Sequence, residues 1–99
     1  MKLKEIAHAR SGDKGNTSTI CVFVFREEDY PKLLSSITPE RVKRHFADLV
    51  LGEVTRYEVP SLCGVNFVMA DALGGGVTRS LNIDVHGKNY GQAILMMDL

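Results

Sequence analysis

Between residues 10 and 16 the chain reads Arg-Ser-Gly-Asp-Lys-Gly-Asn, a stretch that concentrates potential ligand-binding chemistry. Gly12 and Gly15 permit close backbone approach and positive φ, which turns successive N–H groups toward one point and favours an anion there. Arg10 can grip a carboxylate or phosphate through two parallel hydrogen bonds, while Lys14 supplies a mobile point charge. Asp13 and Asn16 are suited to orienting those cations or a substrate. The stretch therefore reads as a polar, anion-binding loop, with Gly74 and Gly75 of the later Gly74-Gly75-Gly76 cluster as a close-approach surface that could face it. The plainer reading is a tight turn, because Asp, Asn, Ser and Gly bond their own backbone and Arg10 with Asp13 makes an ordinary solvated ion pair. A Walker loop is excluded: the lysine precedes the second glycine, and no Gly-Lys-Ser or Gly-Lys-Thr follows.

Other candidates carry less. Asn66 sits in an apolar neighbourhood, where its amide is expected to tie down a loop backbone behind the site. His8 adjoins the loop, His45 lies on an expected helix and His86 in an expected turn, and the three have no metal-ligand spacing. Cys21 and Cys63 match no zinc or redox spacing and read as two reduced packing thiols. No cofactor fingerprint, metal constellation or nucleophile-base set is evident, so no cofactor is expected, and partnership in an enzyme complex is favoured over independent catalysis.

The elements that must position these residues follow from periodicity. Leu3 to His8 predicts a strand leading into the loop. Thr17 to Phe25 places Ile20, Val22 and Val24 on one face and Cys21, Phe23 and Phe25 on the other, which predicts a central strand covered on both sides. Asp29 is a candidate cap for a helix carrying Leu33, Leu34 and Ile37. Thr38-Pro39-Glu40 is a stronger N-terminal signal for a second helix with a Val42, Phe46, Leu49, Val50 stripe, ended by Gly52 in a left-handed conformation. Glu53 to Val59 predicts a strand ended by Pro60. Leu62 to Leu73 fits either period, and the triple glycine favours a helix. Leu81 to Val85 and Ala93 to Met97 predict a terminal hairpin. The sum is an α+β domain, a mostly antiparallel sheet with helices on one face.

Ninety-nine residues support one core, hence a single domain over residues 1–99. Twelve Lys plus Arg balance twelve Asp plus Glu, which leaves no positive excess to attract nucleic acid or an anionic membrane. The charged start, Met-Lys-Leu-Lys-Glu-Ile, does not suit a signal peptide, and no run approaches a membrane span, so a cytoplasmic location is expected.

Taken together, Ala9-Arg10-Ser11-Gly12-Asp13-Lys14-Gly15-Asn16-Thr17-Ser18, Val65-Asn66-Phe67-Val68 and Ala72-Leu73-Gly74-Gly75-Gly76 resemble the small C-terminal domain of the AtuA-like, acyclic terpene utilisation family, in order and spacing along nearly the whole chain. The resemblance implies a ferredoxin-like fold. In that family the domain usually follows a much larger one, which implies a separate larger AtuA-like subunit as partner here. It also implies a setting in the catabolism of branched organic acids handled as acyl-CoA thioesters, and it supplies no catalytic residues. Two functions compete: an enzyme component that contributes the loop to a shared site for an acyl-CoA or carboxylate ligand, and a non-catalytic assembly or oligomerisation module. Free-standing metabolite binding ranks below both. Because the predicted helices cover only one face of an apolar sheet, the other face is expected to self-associate, giving a homo-oligomer, or to dock a partner.

Overall fold

The computed structural model describes residues 1–14, 17–46, 52–70 and 90–99. Among these residues the centre is a sheet of four strands, each antiparallel to its neighbours: β1 (Ala7–Lys14), β2 (Thr17–Val24), β3 (Val54–Val59) and β4 (Gly64–Met69), in the order β1-β2-β4-β3. β2 and β4 are the inner strands. Two helices, α1 (Tyr30–Ser36) and α2 (Pro39–His45), connect β2 to β3, and β4 then inserts between those two strands. This split β-α-β arrangement is the ferredoxin-like, α+β architecture.

The register decides which residues share a face. Val22 opposes Val65, Ile20 opposes Phe67 and Ser18 opposes Met69, and all six are buried. Leu33 and Ile37 at the end of α1, together with Val42 of α2 and Phe46 just after it, pack onto this face and form one core with it. Each large side chain of that cluster contributes about 1.5–3 kcal/mol by leaving water. Arg56 of β3 reaches into the same layer, donating to the carbonyls of Leu34 (2.6 Å) and Ile37 (3.0 Å), and so satisfies acceptors that the end of α1 leaves open.

Several expectations from sequence are corrected. Leu3–Glu5 is a 3-10 turn, and the strand starts only at Ala7. The polar stretch is not a loop from Arg10 onward: Arg10 to Lys14 continue β1 and pair with β2 as far as Lys14 opposite Thr17. The ladder to β2 outweighs the turn preference of Ser, Gly and Asp. Leu62 to Met69 is not helical either. A 3-10 turn, Pro60–Leu62, leads through Cys63 at φ 52° into β4, where Val65, Phe67 and Met69 are buried at a period of two. Here the vacancy between β2 and β3 offers ladder partners on both sides, which a lone helix would forgo. At Gly64 only glycine fits, since a Cβ would lie 2.4 Å from the Phe23 ring and 2.7 Å from the Val22 carbonyl.

Ala93 to Met97 is not a strand of a hairpin. Tyr90–Ile94 forms a short helix, α3, and two tight turns follow it. Ile94 and Met97, three apart, are buried while Met96 is exposed, and a short apolar run leaves that helical period indistinct in sequence. Gly52 is not left-handed; a Cβ there would lie 2.7 Å from the Ala70 carbonyl, so close approach explains it. Asp29 holds the N-cap position of α1 without a side-chain hydrogen bond, whereas Thr38 caps α2 as expected by accepting the Arg41 N–H at 3.3 Å. Leu49, Val50, Gly74 to Gly76, the expected strand Leu81 to Val85 and His86 lie outside the described residues.

Candidate functional site

The face of the sheet turned away from the helices carries the candidate site. β2 buries every second residue and leaves Thr17, Thr19, Cys21 and Phe23 half-exposed on this side. β2 is therefore covered on one face among the described residues, not on both as its apolar alternation suggested. Its neighbours set rows across the open face. Arg10, Cys21, Asn66 and Tyr57 form one row, His8, Phe23, Gly64 and Val59 a second, and Gly12, Thr19, Val68 and Thr55 a third. With strands about 4.8 Å apart, a row spans roughly 14 Å.

The three rows differ in chemistry. In the first, the Cys21 thiol donates to the Asn66 side-chain carbonyl at 3.5 Å, with exposed Arg10 and Tyr57 (56% exposed) at its two ends. Arg10 makes no hydrogen bond or ion pair with another described residue. The second row is aromatic: the His8 ring lies 5.6 Å from that of Phe23 and 5.4 Å from exposed Phe25, which extends the patch beyond the strand. The third row is small, with Gly12 and the apolar Val68 beside two threonines. Among the described paired positions of this face none is Asp or Glu.

The structure thus separates the residues singled out in sequence. Arg10, Gly12 and Asn66 share the open face, and Asn66 lies on a strand beside Cys21, not in an apolar pocket behind a loop. Asp13 and Lys14 are the last two positions of β1, opposite Ser18 and Thr17, while Gly15, Asn16, Gly74 and Gly75 lie outside the described residues. The converging amides expected of a loop do not apply to residues 10–14, because successive N–H groups of a strand point alternately to its two edges. Cys21 and Tyr57 were missed as members of the row, although strict alternation along β2 and β3 places them there once the register is known.

Gly12 has an unusual position. It is exposed within β1, its φ is not left-handed, and an added Cβ would meet nothing closer than Thr19 Oγ1 at 3.4 Å. Among the described residues neither turn geometry nor packing calls for glycine there, yet glycine inside a strand costs about 0.5–1 kcal/mol relative to alanine. Among the described residues no group of His, Cys, Asp or Glu is placed to hold a metal ion, and no helix is long and apolar enough to cross a membrane.

Comparison with known proteins agrees with this architecture. The AtuA ferredoxin-like domain matches residues 1–99. Neither a curated protein nor a solved structure matches the chain. A whole-length match, on a chain whose sheet and crossover have the ferredoxin-like order, places this protein in the AtuA ferredoxin-like domain family.

Proposed function

We propose that the domain is a docking component of an AtuA-like enzyme system acting on acyl-CoA or branched organic acids, and that its open sheet face seats the larger subunit. The observation that carries the reading is that face itself, with Tyr57 and Phe25 exposed, Phe23 half-exposed and no cover among the described residues. Contiguous apolar area of this kind marks an interface. Gly12 supports it, because a strand glycine that none of the described residues requires is a place where another backbone comes close. Charge selects the occupant. Two copies packed face to face would bring Arg10 against a surface with no Asp or Glu among its described paired positions, whereas a partner presenting a carboxylate would neutralise it.

A second reading keeps the domain closer to the chemistry. The Arg10 guanidinium is bonded to no other described residue, and a carboxylate or phosphate of a substrate held between the subunits would satisfy it as well as a partner side chain. Co-purification of the native complex, with mass spectrometry of its chains and of bound small molecules, tests both. The expected result is a larger AtuA-like chain whose retention is lost in Tyr57→Lys and weakened by about 1.5–3 kcal/mol in Arg10→Ala. If both variants retain the larger chain as the wild type does, the open face is not the docking surface. A bound acid that disappears only in Arg10→Ala selects the second reading.

A further inference from the structure

In the helical layer, away from the open face, α2 and the two chain ends enclose a groove of about 430 Å³. This volume is within the range of small-ligand sites. Its cations come from opposite ends of the sequence: Lys2 from the N-terminal segment, and Arg41, Arg44 and His45 from α2. Among the described residues a single acid, Asp98, lines it. Two of the cations are held in place. Arg41 donates to the carbonyls of Ser36 and Asp98, the latter at 2.7 Å, and the Lys2 ammonium lies 3.0 Å from the Asp98 carboxylate. Lys2 is also what holds the Asp98 carboxyl below its ordinary pKa, so this acid stays ionised as a counter-charge. His45 is oriented by the Ala93 carbonyl, 3.0 Å from Nε2. Arg44 is exposed and uses none of its donors on another described residue.

Basic residues in the last turn of a helix ordinarily complement its dipole, and that accounts for Arg44 and His45. It does not account for Lys2, nor for Arg41 in the first half of α2. Among the described residues the permanent charges facing the groove are Lys2, Arg41 and Arg44 against Asp98, an excess that suits a phosphate group of charge about −1.5 to −2 at neutral pH. Met96 and Met97 supply an adaptable apolar wall beside it.

We infer that this groove binds the phosphate group of a small phosphate monoester, with Arg44 as the free bidentate fork, Lys2 and Arg41 as fixed charges, and the two methionines against the organic remainder. The full chain is titrated by heteronuclear NMR at constant ionic strength with inorganic phosphate, phenyl phosphate and, as control, acetate. Saturable shifts are expected at Lys2, along α2 and at Met96 to Asp98, with phenyl phosphate the tighter ligand. Arg44→Gln, a change at an exposed and unbonded position, is expected to weaken binding about tenfold, equivalent to about 1.4 kcal/mol. Arg44→Lys should recover only part of it, since lysine lacks the fork. Equal affinity for the two phosphates identifies free phosphate as the ligand of the same site. No saturation at millimolar phosphate, an equal response to acetate, shifts confined to the open face, or wild-type affinity in Arg44→Gln each overturns the inference.

Discussion

The Tyr30 hydroxyl donates to the Gly64 carbonyl at 2.9 Å, linking the first residue of α1 to the first residue of β4. Partial burial, followed by the nearby Glu58 and Cys63, raises its pKa above the usual 10.0. A raised value in the folded state means that the contribution is complete below pH 10 and is lost as pH rises through the folded pKa. Tyr30→Phe should therefore cost about 0.5–1.5 kcal/mol near neutral pH, and the gap from wild type should narrow at alkaline pH. Urea titrations of both proteins at the two pH values check this; a gap that stays constant or widens counts against it. At this scale the sequence was a partial guide. Arg10 and Gly12 were singled out within the polar stretch and Asn66 as an amide in apolar surroundings, but the Cys21 and Tyr57 that complete the row of Arg10 and Asn66 were not. Membership of the row depends on pairing between segments up to 56 residues distant from Arg10 in numbering only by way of register, and no single segment records it.

Elements with strong local punctuation were legible. Thr38-Pro39 announces α2 because a capping hydroxyl and a preset φ both act within one turn, and Pro60 ends β3 because it lacks a donor. Thr38→Ala should accordingly cost about 1 kcal/mol, read as a lower urea midpoint at unchanged slope. A loss below 0.3 kcal/mol, under the usual cap range, would mean that Pro39 and the burial of Val42 set the start of α2 without the hydroxyl. β4 and α3 were not legible. Val65 and Met69 satisfy both periods, and Ala93 to Met97 is apolar at nearly every position, so tertiary surroundings choose. An inner slot in the sheet converts the first into a strand. A place against β1 and the N-terminal turn, where Leu3 N–H bonds the Met97 carbonyl at 2.9 Å, allows the second to coil.

Over the whole molecule, the sheet is dressed on one side by α1, α2 and α3 and bare on the other among the described residues. The family and the α+β layout were both accessible from sequence, because layer architecture depends on the count and alternation of elements and survives errors in two of them. The chain ends have their own consequence. Lys2 bridges Asp98, and the Leu99 N–H bonds the Met1 carbonyl at 3.0 Å, so residues 1 and 99 lie side by side. Joining Leu99 to Met1 through a short glycine linker and cutting instead between Arg26 and Glu27, both exposed, should yield a circular permutant with the same circular dichroism and a cooperative unfolding transition. An unfolded permutant would show that the order in which segments emerge matters to this fold. A folded one would mean that a covalent leash can be fastened at the seam, on the helical side, while the bare face remains free to meet whatever the leash carries.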